Sequence, residues 1–443
     1  MTDLIFSFDT EDYVNPAGAD GIIRASKLIR EAGFTPCQNV VGWLAHALVK
    51  WGRQDVIGEI KKCEICTHSL RHSHHPTIAE YTDIEDFDEA MGLFRKDEDE
   101  AVRIIKEVFG VNGVVSACPP GSSFSSVAYY GYSDMGIKVY DDGCVNDELK
   151  SRPVSFCNML DLKYNYGLDS FINDSKEDIC ELIEKMAQLE VCVIYHHPAK
   201  NTIVHFADDQ NFNGENLEEE NWILSELLPE EKIKRFEENL VFFLDKIKND
   251  KRFNVTTYSE ILKKYESERV IKRSHLEEIK KHIDMELFPV TTPDSLSLSD
   301  IMLACRDFLH GKTEHVCEKV YGFLNTPFCI SQPVKVTASE MRESTKHIHD
   351  NEFLPTEIMV GDKKLGPADW LRAALIVLTG QEEAEVVPDK WQIDLNQFPR
   401  LRDLKLKGTW IHSPDFQDRF VTDRLRLQSW TIRLPKGTKR KIF

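Results

Sequence analysis

A chain of 443 residues with 42% hydrophobic and 29% charged side chains has room for two or three domains around a sizeable core, and its composition is not that of a disordered protein. Its 55 basic residues stand against 74 acidic ones, a formal charge of −19, which argues against nucleic acid or an anionic membrane surface as the main partner. No apolar run approaches the roughly 20 residues needed to cross a bilayer, so no membrane span is expected.

Met1-Thr2-Asp3 leads straight into an apolar segment without a basic leader, and cytoplasmic residence is the expectation. Eleven scattered cysteines then read as reduced thiols that pack as small hydrophobes. Cys63 and Cys66 form a CxxC, but there is no second pair to complete a zinc ribbon. The basic tail Lys436-Gly437-Thr438-Lys439-Arg440-Lys441 reads as a solvated end.

The apolar run Leu4-Ile5-Phe6-Ser7-Phe8 reads as a buried strand that ends in Asp9-Thr10-Glu11-Asp12. Three acids in four residues repel one another and call for a cation or a catalytic task, although acids also cap the helix after a βα loop. An amphipathic helix is expected over 21–33, breaking at Gly33, with further helical periodicity over 40–50 and 53–62. A short apolar segment at Cys63–Cys66 then delivers His68, His72, His74 and His75, four of fifteen histidines within eight residues. If that stretch is helical, the spacing of His68 and His72 stacks their imidazoles on one face, close enough to share a metal ion.

A charged helix follows over 83–109, and a strand over 111–117 runs into the rigid turn Cys118-Pro119-Pro120-Gly121. Beyond a helix near 124–136, Ile137–Tyr140 reads as a strand that ends in Asp141-Asp142-Gly143. A helix over 175–188 precedes a strand over 190–195, which delivers His196-His197-Pro198. The stretch 208–221, acidic and rich in asparagine, reads as a mobile loop. A helix over 229–248, a strand over 253–257 and a helix over 258–264 complete an alternation that implies a parallel sheet or barrel with its polar clusters at the strand exits.

Residues 266–294 read as a helical linker. Beyond them, helices are expected near 299–310, capped by the serines before it, and 367–379, with a strand-like Thr431–Leu434. His347, His349 and Asp350 could bind metal but read as surface residues, and no catalytic constellation stands out after 265.

Together these strand ends resemble the polysaccharide deacetylases, the NodB-homology enzymes of carbohydrate esterase family 4. Phe8-Asp9-Thr10-Glu11-Asp12 resembles the first motif, and Glu64-Ile65-Cys66-Thr67-His68-Ser69-Leu70-Arg71-His72 is similar to the H-S/T-x-x-H motif with its lead-in. Cys118-Pro119-Pro120-Gly121 stands where that family has R-P-P-Y/F-G. Tyr140-Asp141-Asp142 occupies the region of the fourth motif, and Ile194-Tyr195-His196-His197-Pro198 resembles the last. The resemblance spans about residues 1–265. It implies an α/β fold, a distorted and incomplete (β/α) barrel over 1–265, followed by the linker and a smaller, mainly helical C-terminal accessory domain over 295–443.

The resemblance further implies one divalent metal, zinc first, with cobalt, nickel, iron or manganese admitted by the same donors. His68, His72 and a carboxylate would hold it. That carboxylate is Glu11 if strand alternation persists, or Asp12 if a turn presents it instead. Asp9 is then the expected base and His197 the acid, with Asp142 as its partner by position. The 119–122 loop, Pro120 and Gly121 included, would bind substrate and stabilise the oxyanion. Cys118 replaces the arginine that orients the catalytic acid in that family, and Arg71 or Arg152 is the expected substitute.

The expected substrate is an N-acylated amino sugar, in particular a glycan precursor inside the cell in surface-polysaccharide synthesis. The competing readings are a catalytically degenerate glycan-binding member and a C–N hydrolase acting on a non-sugar amide. Oligomerisation through the C-terminal domain is admitted.

Overall fold

The computed structural model describes residues 1–121, 123–146, 150–406, 410–436 and 438. The basic tail from Gly437 onward therefore lies largely outside the described residues, as does Ser122 of the expected oxyanion loop.

The chain forms two compact units. The first comprises 1–153, 160–264 and 404–422; the second comprises 154–159, 265–403 and 423–443. The 295–443 region expected to stand apart thus lends residues 404–422 to the first unit, while 266–294 counts wholly with the second.

The strands up to residue 265 are β1 (Thr2–Thr10), β2 (Cys37–Val40), β3 (Glu64–Thr67), β4 (Ser116–Ala117), β5 (Val139–Tyr140), β6 (Val154–Phe156), β7 (Met159–Asp161), β8 (Tyr164–Gly167), β9 (Val191–His196) and β10 (Phe253–Thr256). In the first unit they run in the order β7-β5-β4-β3-β2-β1-β9-β8, with β10 on the N-terminal half of β1. The pairs β1·β2, β2·β3, β3·β4, β4·β5, β1·β9 and β8·β9 are all parallel. A parallel sheet with helical crossovers and no β7·β8 pairing is an incomplete (β/α) barrel.

β1 sits at the centre, every residue buried, as expected of a strand covered on both faces. Leu4, Phe6 and Phe8 pack with Cys192 and Ile194 of β9 and with Phe236, Leu240 and Phe243 of the helix Glu230–Asn249. Each such aromatic removed from water contributes about 1.5–3 kcal/mol, so the strand that carries the acids is held rigidly.

Most helices fall where periodicity places them: Ala19–Glu31, Phe87–Phe109, Lys176–Met186 and Glu230–Asn249. Asp86 caps the second of these through the Asp88 and Glu89 amides, and Gly110, at φ 69°, ends it in the left-handed conformation. The expected strand over 111–117 shortens to Ser116–Ala117. The expected loop over 208–221 instead holds a helical turn at Ala207–Asn211.

In the second unit, 266–294 carries a strand at Val270–Lys272 and a helix at Leu276–Met285, whose Leu276, Ile279 and Ile283 are buried. The helices Leu298–Leu309 and Pro367–Leu378 match expectation, the first entered through a Ser297/Asp300 capping box. The described residues of this unit also form three two-stranded antiparallel pairs. Arg433 grips buried Asp300 with two bonds of 2.7 Å, which hold the carboxyl below its usual range although burial opposes this. The strand expected at Thr431–Leu434 is instead a 3-10 turn, Gln428–Thr431, followed by a single bridge from Arg433 to Ser155.

Candidate metal centre

The acids and histidines meet at the C-terminal ends of the parallel strands. His68 and His72 lie not on a helix but in the loop after β3, where Ser69 (φ 66°) and His72 (φ 54°) adopt left-handed backbone. Such geometry costs a non-glycine residue roughly 1–2 kcal/mol, and its effect here is to bring both imidazoles to one carboxylate. Their Nε2 atoms lie 3.3 and 3.0 Å from Glu11 Oε2.

The other ring nitrogens are fixed. His68 Nδ1 is 3.0 Å from the Cys118 carbonyl oxygen, which can only accept, so this nitrogen carries the proton and Nε2 is left as a donor to a cation. His72 Nδ1 lies 2.9 Å from Asp208 Oδ1, which the Ser73 hydroxyl also bonds. Burial pulls the His72 pKa down, but Asp208 and Glu11 raise it well above the ordinary value. Glu11 feels burial upward, yet His72 and His197 hold it well below the usual carboxylate range.

Buried Glu11 Oε1 has no hydrogen-bond partner among the described residues. Two Nε2 atoms and a carboxylate with an orphaned oxygen, all buried and within 4.8 Å of one another, fit a divalent cation that keeps open positions. Asp12 does not join them. Its Oδ1 accepts from the Val14 and Asn15 amides at 2.9 Å and its Oδ2 from Asn15 Nδ2 at 2.9 Å. Burial lifts its pKa to about 6 against those bonds. Glu11, not Asp12, is thus the acid placed beside the two imidazoles, and Asp12 shapes the turn.

Asp9 sits beside the cluster. Its Oδ1 accepts from the Tyr164 hydroxyl at 2.6 Å and from Asn39 Nδ2 at 3.0 Å, and its Oδ2 is 3.7 Å from His197 Nε2. Asn39 also donates to Ser7 Oγ at 2.9 Å, and Ser7 to Asp141 Oδ2 at 2.8 Å. Burial pushes the Asp141 pKa up to about 7 although Tyr258 and Ser7 donate to it.

The Cys118 thiol is 3.3 Å from the Tyr164 hydroxyl. Burial first, then Asp9 and Asp141, raise it well above the usual thiol range, which disfavours a thiolate there. The expected substitutes for arginine lie elsewhere: Arg71 pairs with Asp97, and Arg152 is 3.8 Å from Glu190. Tyr164 and Asn39 hold Asp9 instead.

His197 is held by Asp169, not by Asp142. Nδ1 is 2.7 Å from Asp169 Oδ2, and the His197 amide donates to Oδ1 at 3.0 Å. Burial lowers the His197 pKa, but Asp169 first, then Glu11 and Asp9, raise it to about 9. Asp142, at φ 52°, accepts from the Tyr164 amide at 3.3 Å. His196 bonds Asp169 through Nδ1 and stacks on Phe236, with ring centroids 4.9 Å apart.

Pro120 accepts from the Ser123 amide at 3.0 Å, and Gly121 adopts φ +52°. A Cβ on Gly121 would lie 2.5 Å from Trp410 Cη2. Trp410, 38% exposed, also tilts over His72 with ring centroids 6.3 Å apart. Its segment is pinned by Thr77 donating to the Ile411 carbonyl and by Asp83 accepting from the Arg419 and Phe420 amides. His75 braces the metal loop through Glu80 and the Phe212 carbonyl.

Asn39, Tyr164, Asp169, Asp208 and Trp410 carry no motif and were not foreseen. All except Trp410 bond a foreseen residue directly, and no spacing in the sequence points to them.

No protein-family model matches the chain, and no curated protein matches it. Among solved structures, a protein of Mycobacterium smegmatis assigned as a polysaccharide deacetylase aligns at 16% identity over 59% of this chain and 89% of its own, with a TM-score of 0.40. A peptidoglycan deacetylase of Bacillus subtilis aligns at 13% identity over 63% and 96%, with a TM-score of 0.32. A 4-alpha-glucanotransferase of Thermococcus litoralis aligns at 11% identity over 60% and 40%, with a TM-score of 0.40. Likenesses this shallow carry no functional weight beside the side chains.

Proposed function

We propose that this chain is a metal-dependent deacetylase that hydrolyses the N-acyl group of an amino sugar. The observation that carries the reading is the Glu11/His68/His72 donor set flanked by a carboxylate, Asp9, and a charged imidazole, His197, 3.7 Å apart.

Glu11, His68 and His72 would hold the divalent ion. When bound, such an ion supplies Lewis acidity that polarises the acyl carbonyl and acidifies a water toward pKa ~7. Asp9 takes the water's proton; with Oδ1 fixed by Tyr164 and Asn39, its geometry is set before substrate arrives. His197, charged at neutral pH, gives a proton from Nε2 to the departing amine as the C–N bond breaks, while Asp169 fixes Nδ1 and the ring plane. Amide and water thus become carboxylic acid and amine, Asp9 having gained a proton from water and His197 having given one to the amine, and each such acid–base role is worth about 10²–10⁴ in rate.

Pro119 and Pro120 carry no N–H, so Gly121 is the described residue of that turn able to donate to the developing oxyanion. Pro120, Gly121 and Asp142 border the substrate. Cys118, the residue that prompts the non-catalytic reading, stands beside a tyrosine that does the positioning, which favours the enzyme.

Acetate release from acetylated amino sugars, with chelation and metal add-back, tests the proposal. Activity lost on chelation and restored by a divalent ion supports it, whereas activity indifferent to chelation overturns it. Turnover of small amides but of no sugar would move the assignment to a non-sugar amidase.

A further inference from the structure

Beside the His68–His75 loop lies a cavity of about 640 Å³ whose lining includes Tyr13, Trp43, Trp51, Trp222, His46 and His74. Tyr13 follows Glu11 by two residues and His74 follows His72 by two, so one wall is made from the segments that carry the metal donors. The rings are assembled in advance. Tyr13 meets Trp43 at 5.4 Å and 82°, Phe212 at 5.6 Å and 29°, and Trp222 at 5.8 Å and 62°. The polar ends of two of them are already committed: the Tyr13 hydroxyl donates to the Arg71 carbonyl at 3.0 Å and Trp222 Nε1 to the Leu217 carbonyl at 2.9 Å. What these two rings offer a ligand is carbon.

Two of the three carboxylates on the lining are paired. Glu219 bonds Lys50, and Glu100 is gripped by Arg103 at 2.6 Å. Carboxylates outnumber the single lysine of the lining, with Glu218 as a third, so an anion such as a phosphate is disfavoured. A preformed aromatic pocket with a rim of imidazole and carboxylate groups suits a flat, uncharged ring with apolar C–H faces and hydroxyls at its edge.

We infer that this cavity is a glycan subsite, which seats an uncharged sugar ring of the chain that carries the scissile acyl group. The choice of a saccharide rests on the proposed deacetylase reading. The cavity would then set a preference for oligomers over monomers, because binding energy from a remote ring is gained only by a substrate long enough to reach it.

The test is titration of an N-acetylglucosamine tetramer, followed by tryptophan fluorescence and calorimetry, against wild type, Trp51→Ala, Trp222→Phe and exposed Leu224→Glu at the rim. Truncating one aromatic anchor is expected to weaken the tetramer about tenfold. Trp222→Phe and Leu224→Glu should weaken it less, and metal content and acetate release from an acetylated monosaccharide should stay at wild-type levels. Tetramer affinity unchanged in all three variants overturns the inference, as does an alkyl alcohol that displaces the tetramer as well as a second saccharide does. Failure of the deacetylase reading would appear separately, as no acetate release by wild type with its metal present.

Discussion

Asp169→Asn keeps the size of the side chain that orients His197 and removes its charge. His197 stands at about 9 in the folded protein against an ordinary value near 6.5, a gap of ~2.5 pKa units, or ~3.4 kcal/mol. That gap is the net result after burial has lowered the value, with Glu11 and Asp9 sharing in the raising and a cation at Glu11 cancelling part of its share. The sign follows from the direction of the shift. A raised pKa means that the charged imidazole is present at low pH and lost as pH rises through about 9 in the wild type. Without Asp169 it is lost closer to 6.5. At pH 8 the protonated fraction would fall from ~90% toward ~3% in the limit that the whole shift is removed. The assay is a pH profile of kcat/KM for acetate release. The alkaline limb should move down by about two units, with a roughly tenfold loss at pH 8 that closes below pH 6. A loss uniform across pH, or a limb that stays in place, would refute the view that Asp169 keeps a proton-donating His197 charged.

Tyr164→Phe removes the 2.6 Å donation to Asp9. A hydrogen bond to a charged group is worth about 1.5–3 kcal/mol, so single-turnover acetate release should slow by at least tenfold while metal analysis shows no loss. Cys118→Ser should leave turnover near wild type, and the native thiol should resist maleimide under native conditions because burial raises its pKa. Gly121→Ala meets Trp410 Cη2 at 2.5 Å from a backbone with φ +52°. It should destabilise the protein by about 1–3 kcal/mol in thermal melts, and Trp410→Ala in the same chain should recover part of that loss.

The strand ends were legible because each apolar run is followed at once by its polar cluster, as in Phe8-Asp9 and Ile194-Tyr195-His196-His197. That Glu11 rather than Asp12 lies on the same side as Asp9 follows from the period of a strand. The supporting residues were not legible because parallel register, not spacing along the chain, brings them in. Asp9 pairs with Asn39 across β1 and β2. Gly167 pairs with Tyr195 across β8 and β9, and two residues further on Asp169 stands beside His197. Asp208 reaches His72 from 136 residues away, inside a stretch whose acidic, asparagine-rich composition reads as a mobile loop. Helical spacing at His68 and His72 suggested convergence for a reason the structure replaces: left-handed backbone in a loop does what a helix face was expected to do. Trp410 belongs to a segment that composition assigned to a separate C-terminal domain.

Metal content and acetate release, measured together on wild type, His68→Ala and Asp9→Asn, test the central claim most directly. The account predicts about one divalent ion per wild-type chain, loss of it in His68→Ala, retention in Asp9→Asn, and no acetate release from either variant. A wild type that binds no metal, or an Asp9→Asn variant that still turns over acetylated sugar at the wild-type rate, would contradict it.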